Sequence, residues 1–286
     1  MARLAHFLMA SEWRAALIAS ALLFLPLVSW IGASVVALFV LRRGPAKSSF
    51  VISVPIVIAM VMAFSFANSD MLVVLMITTI LAAVLQRKMG WLAVMQVVLA
   101  VSIGLTFLIG VLYEETLKGL VAAVKEVIAA PEQLAALGVD LSTVDAWMGS
   151  LSVGALSFVL MVSALCALVF ARVMQVQAFN SGGFKAEFEI FKLPGLMASG
   201  CLILMVAGFL VDPWMLRFSP VAALPLVFAG MALVHGLTSM TGSKRLLTMF
   251  YVALLFFTPY LLLLLAFLAV IDAFSDFRTR AQNEPL

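Results

Sequence analysis

From Ala15 to Leu41 the chain carries no charged side chain, and further apolar runs follow at 50–67, 71–86, 90–113, 151–174, 195–211, 221–242 and 249–271. An α-helix rises 1.5 Å per residue, so about 20 residues bridge roughly 30 Å of hydrocarbon. Hydrocarbon offers the backbone no hydrogen-bond partner, and each run must therefore satisfy its own N–H and C=O groups as a helix. None shows the alternation that a membrane β-barrel requires. Hydrophobic residues fill 65% of the 286 positions, a share that no water-exposed surface tolerates. The fold class that follows is all-α: a single transmembrane domain over 1–286, a polytopic helical bundle of about eight spans with the lipid bilayer as its solvent.

The first run is longer than one span needs and contains Pro26 and Gly32. It is either one tilted, kinked helix or two shorter pieces parted near Ser29-Trp30. The start, "MARLAHFLMASEWR", has a basic residue but no short apolar stretch closed by a small-residue cleavage site, and is expected to be retained. Net charge is +3 with a pI near 9.0, and no basic run is interleaved with aromatics, which excludes a nucleic-acid surface. Cys166 and Cys201 both fall inside apolar runs, where a free thiol behaves as a small hydrophobe.

Basic residues in short loops stay on the cytoplasmic side. Arg42, Arg43 and Lys47, then Arg87 and Lys88, then Arg172, Lys185 and Lys192, then Lys244 and Arg245 occupy alternate connections. The other face then receives Asp70, Glu114, Glu115, Glu126, Glu132, Asp140, Asp145 and Asp212, with Asp272 and Asp276 after the last span. This parity also sends Arg278 and Arg280 outside, against the rule. The outer connection 114–150 reads as an amphipathic helical loop: Leu117, Leu120, Val121, Val124, Val127 and Ile128 recur at helical spacing with Lys118, Lys125 and Glu126 opposite. Pro131 and Gly138 bound a second short helix there, and Ser142 with Asp145 resembles a capping box.

On the cytoplasmic side lies "SGGFKAEFEIFKLPG", Ser181 to Gly195, dense in charge for a chain with 11% charged residues. Phe184, Phe188 and Phe191 share a helical face, while Lys185 with Glu189 and Glu189 with Lys192 have ion-pair spacing. The segment is either an interfacial anchor or a docking helix for a protein partner.

"FEIFKLPG" ahead of a span, "AGMALVHG" in the next-to-last span and the closing "DAFSDFR" resemble the YybS-like family of uncharacterised bacterial membrane proteins, over residues 184–278. Where that family carries Gln-Gly, this chain has Ala229-Gly230. The family is similar in architecture to the substrate-binding S-components of energy-coupling-factor transporters. The resemblance implies a multi-pass protein of the bacterial cytoplasmic (inner) membrane, a pocket at the outer face, and an Ala-x-x-x-Ala surface for a transport partner. This sequence offers "ASVVA", Ala33 to Ala37, and "AALIA", with Ala15 and Ala19, as such faces.

No catalytic or metal-binding pattern is present in the sequence: no P-loop, HExxH, GxSxG or Cys/His cluster, so neither an enzyme nor a cofactor is expected. His235 and Gln96 are polar groups at membrane depth, read as interhelical hydrogen-bonding residues or ligand contacts. Asn68, Asp70, Tyr113, Glu114, Glu115, Asp212, Trp214 and Asp272 all close spans on the acidic face and are the expected substrate-binding set, a mouth for a positively charged solute. Asp272 and Asp276 share a helical face with Arg280 four residues on, and Phe274 and Phe277 read as interface anchors. Two functions follow: a small-solute binding or transport protein of S-component type, or a scaffold recruiting partners through Phe184, Phe188 and Phe191 or through the Ala33 and Ala37 face.

Overall fold

The computed structural model describes residues 2–25, 28–66, 69–87, 89–113, 115–117, 119, 121–122, 141–179 and 183–278, and among them it is all-helical. In chain order the α-helices are α1 Ala2–Met9, α2 Glu12–Leu23, α3 Ser29–Arg43, α4 Ser49–Phe66, α5 Asp70–Gln86, α6 Gly90–Leu112, α7 Leu141–Phe179, α8 Gly183–Glu189, α9 Gly195–Leu210, α10 Ser219–Thr241, α11 Lys244–Phe256 and α12 Thr258–Ser275. Short 3-10 turns occupy Ala46–Ser48 and Pro213–Phe218. Five helical stretches are long and apolar enough to cross a membrane: Ala46–Phe66, Gly90–Leu112, Val144–Phe179, Pro213–Thr241 and Thr258–Ser275. Asp70–Gln86 and Gly195–Leu210 are shorter apolar helices. The amphipathic stretch expected at 117–128, with Pro131 and Gly138, lies largely outside the described residues.

The chain forms two compact units, one of Met1–Val98 with Leu160–Glu189 and one of Leu99–Val159 with Ile190–Leu286. In the first, α3 is the central helix, with every residue from Gly32 to Leu41 buried. It packs on α2 and α5, and α2 packs on α4. The approach of α2 to α3 is close because the facing residues are small. A Cβ on Gly32 would lie 2.6 Å from the Ala19 carbonyl oxygen. Ala15, Ala19, Ala33 and Ala37 are all at most 1% exposed, so the small-residue faces are used within this unit. The first apolar run is thus two helices, with Pro26 between them outside the described residues. At the far end of α3, Gln175 of α7 donates from Nε2 to the Leu41 carbonyl at 3.1 Å.

The second unit is built on α9, α10 and α12, with α9 also lying on the 213–218 turn. Here too glycines set the spacing. A Cβ on Gly208 would meet the Leu216 amide nitrogen at 2.4 Å, and one on Gly230 the Leu265 carbonyl oxygen at 2.3 Å. The run 249–271, expected as one helix, is divided. Pro259 has no N–H for the Leu255 carbonyl, so α11 ends at Phe256 and α12 begins at Thr258, with Pro259 in its first turn. Among its residues α11 buries none. Gly230→Val is expected to cost about 3 kcal/mol or more, since a backbone atom must retreat from the new side chain. Gly104→Ala, where nothing lies within 4 Å of the new methyl, is expected to leave stability unchanged or slightly raised. Thermal unfolding of the two variants in one detergent checks the contrast.

Candidate functional site

The site forms around a turn in the second unit. Asp212 is extended and its Oδ1 accepts from the Trp214 amide at 2.7 Å, while Pro213 supplies the preset φ of a first helical position. The 3-10 turn that follows brings Arg217 back over Trp214. Its Nε donates to the Trp214 carbonyl at 3.1 Å, and its guanidinium sits 4.5 Å from the indole centroid. Phe107 of α6 and Phe218 complete an aromatic group with Trp214, the three centroids lying 5.1–5.7 Å apart.

Arg217 is 8% exposed. The indole stack and one hydrogen bond to a charged donor supply about 1–3 kcal/mol each, less than the several kcal/mol that desolvating a guanidinium costs. More polar partners are required, and Arg217 has a further interaction beyond these two. Two glycines admit it. A Cβ on Gly110 of α6 would lie 2.8 Å from Arg217 Nη1, and one on Gly154 of α7 would lie 2.2 Å from the Arg217 carbonyl oxygen.

Two grooves share Trp214 and Arg217 as walls. One, of about 470 Å³, adds Phe107, Gly110 and Glu115; the other, of about 570 Å³, adds Asp145, Ser150, Val153 and Asp212. The expected substrate-binding set is therefore brought together in part. Glu115, Asp212 and Trp214 do meet at these grooves. Tyr113 lies between α6 and the residues that follow, its amide donating to the Ile109 carbonyl at 2.9 Å, and does not line either groove. Asp70 belongs to the other unit, exposed in the first turn of α5. Asn68 and Glu114 lie outside the described residues. Arg217 is the residue that sequence reasoning missed. Its signal was available: an arginine set between Trp214 and Phe218 in a short, otherwise apolar turn.

Asp272 stands elsewhere and is a correction. It is 3% exposed, accepts from the Phe277 amide at 2.9 Å and pairs with Arg278 Nη1 at 3.1 Å. Arg278 Nη2 donates to the Phe191 carbonyl at 3.0 Å, and Lys192 pairs with Asp276 at 3.2 Å. Burial pushes the Arg278 pKa down from its ordinary value, while the Asp272 and Asp276 carboxylates pull it up. Asp272 thus caps the end of α12 instead of lining a mouth. The assignment of 191–192 and 272–276 to opposite faces is also corrected, because these segments touch. The Asp276 to Arg280 pair expected from spacing falls outside the described residues.

The charged stretch before α9 is absorbed by packing. In the first unit, Glu187 receives Arg172 Nε at 3.3 Å and the Trp91 indole N–H at 3.2 Å, and Lys185 pairs with Glu189 at 3.6 Å. Phe184 stacks on Phe188 at 5.6 Å, and Phe188 is 8% exposed. The helix stops at Glu189, so Phe191 never joins the other two on a helical face. It is 6% exposed in the second unit, edge-on to Phe228 at 5.3 Å. Lys192 meets Asp276 where spacing suggested Glu189. The docking surface expected from Phe188 and Phe191, and the one expected from Ala33 and Ala37, are corrected to interior contacts. His235 Nε2 lies 2.8 Å from the Tyr251 hydroxyl, joining α10 to α11, and Gln96 is exposed on α6. Cys166 and Cys201 are free thiols.

No family model matches the chain, and no curated protein or solved structure matches it. Asp272→Ala leaves a buried guanidinium without its carboxylate and is expected to cost about 3–5 kcal/mol. The double variant Asp272→Ala/Arg278→Met removes the orphaned charge and is expected to recover most of that loss. Chemical denaturation of both, as a double-mutant cycle, measures the coupling.

Proposed function

We propose that this is a multi-pass membrane protein that binds a small solute at the grooves beside Trp214 and Arg217. The observation that carries the reading is the buried Arg217 stacked on Trp214 at the wall of two grooves, with Glu115, Asp145 and Asp212 at their edges. Volumes of about 470 and 570 Å³ fall in the range of small-molecule sites. Such sites pair an apolar lining with a few placed polar groups, as Phe107 and Val153 do here with these charges. The resemblance to the YybS-like family and to S-components of energy-coupling-factor transporters agrees with this class, with the bacterial inner membrane as its location and no chemical step of its own. The scaffold reading loses support, because Ala33, Ala37, Phe188 and Phe191 are spent inside their own units.

We further propose a membrane layout of nine crossings, the eight expected from the apolar runs with the last run crossing twice. Phe191 and Lys192 precede α9, and Asp276 and Arg278 follow α12; their contacts require an even number of crossings between them. With α9 and α10 as two, α11 and α12 cross as a pair, in opposite directions about Phe257. Helix α11, at 13 residues or about 20 Å, is short for this, which a locally thinned bilayer accommodates. The amended layout returns Arg278 to the basic face and satisfies the rule that the sequence parity broke.

Thermal-shift screening of the purified protein against vitamins, metal ions and amines tests the solute reading. At least one compound is expected to stabilise it, by about 2.7 kcal/mol at a hundredfold excess over its Kd. Trp214→Ala is expected to abolish that stabilisation; loss of the indole over Arg217 also lowers the unliganded midpoint, by about 1–3 kcal/mol, so the shift is read against the variant's own unliganded midpoint. No stabiliser from any class, or one that acts equally on Trp214→Ala, would overturn it.

A further inference from the structure

The start of the chain is ordered where the sequence alone gave it no role. Helix α1 buries Ala5 and Leu8 against the first unit and leaves Leu4 and Phe7 exposed at 47% and 49%. Trp13 and Leu17 of α2 continue this apolar surface at 64% and 60% exposure. Cations border it. The Arg14 guanidinium lies 4.8 Å from the Phe7 ring, and that of Arg42, at the end of α3, lies 4.7 Å from the Phe179 ring, which His6 meets edge-on at 4.9 Å. Arg3 and Lys47 are exposed in the same part of the unit. From residue 2 to residue 66 the sole acid is Glu12, and it is engaged by Arg43, whose other end donates to the Met9 carbonyl at 3.4 Å. Trp13 is fixed edge-on against Phe50 at 4.6 Å, tying α2 to the start of α4.

We propose that α1, the start of α2 and Arg42 form a seat for anionic phospholipid, with Leu4, Phe7 and Trp13 in the acyl boundary and the Arg14 and Arg42 guanidiniums on the headgroup phosphates. The charge argument decides the occupant: an excess of cations with the local carboxylate already neutralised complements an anionic leaflet, and the exposed apolar residues beside it give the second of the two contributions that stable surface attachment needs. Each guanidinium lies over a phenylalanine ring, at 4.8 Å for Arg14 and 4.7 Å for Arg42, and a guanidinium has N–H donors enough to grip a phosphate with two bonds. An indole beside them matches the depth at which tryptophan sits in a bilayer. A free phosphate would use the arginines but leave Leu4, Phe7 and Trp13 uncovered.

The test is native mass spectrometry of the full-length protein in detergent with equimolar phosphatidylglycerol and phosphatidylcholine, reading the ratio of retained lipids. The wild type is expected to retain phosphatidylglycerol preferentially. Arg14→Gln and Arg42→Gln should each lower the ratio about fivefold. Arg14→Lys/Arg42→Lys, which keeps the charge, should retain most of the preference, and Lys244→Gln/Arg245→Gln, which removes two charges from the other unit, should leave it unchanged. Absence of a preference in the wild type, its survival in the glutamine variants, an equal loss in the Lys244→Gln/Arg245→Gln protein, or displacement of the lipid by inorganic phosphate would each overturn the proposal.

Discussion

Close backbone approach between helices is the constraint on which the structure depends. Lipid is as apolar as a leucine side chain, so burying leucine between helices gains little there, and association relies on van der Waals fit and on satisfied polar groups. The chain meets this with small residues at the crossings. Gly32 lies against the Ala19 carbonyl, Gly208 against the backbone of Leu216 and Gly230 against that of Leu265. The same device seats the candidate site: Gly154 lies against the Arg217 carbonyl, and Gly110 clears its guanidinium. An alanine methyl at most of these positions would fall within 3 Å of a backbone atom, so site geometry and helix packing are set by one type of contact.

The scarce charges are distributed with equal economy. Glu187 serves both Arg172 and the Trp91 indole, and Asp272 serves both Arg278 and the Phe277 amide. These groups hold chain ends in place: the short α8 in one unit, and the close of α12 beside Phe191 and Lys192 in the other. Arg217 differs from them in position. It is buried in the same manner, yet it forms the wall of two grooves with the half-exposed Trp214. Glu187 and Asp272 line neither groove.

The helical class and the apolar runs were legible because hydropathy over 20 residues is a strong signal and the backbone in lipid has few alternatives. The grouping of Glu115, Asp212 and Trp214 was legible for a related reason, since loop charge sorts by membrane face. What escaped were features decided by single residues. Pro259 divides the last apolar run without altering its hydropathy. Phe191 has helical spacing from Phe184, but the helix ends two residues before it, and Pro194 then holds an extended conformation. Asp272 counted as an outer acid on charge parity alone, which carries no sign of its pairing with Arg278 and the Phe277 amide. Arg217 was passed over because a lone basic residue carries little weight in a charge tally, although its aromatic flanks marked it.

The central claim is one of sidedness: Asp212 and Trp214 open to one face of the bilayer, while Lys192, Asp276 and Arg278 gather at the other. Cysteine labelling measures this most directly, with Ile190→Cys, Trp214→Cys and Asp276→Cys placed singly in a protein whose Cys166 and Cys201 are replaced by alanine. An impermeant maleimide is expected to reach Trp214→Cys from one side of sealed vesicles, and Ile190→Cys and Asp276→Cys only from the opposite side. Labelling of Asp276→Cys from the same side as Trp214→Cys would contradict the account and return Asp272 to the entrance.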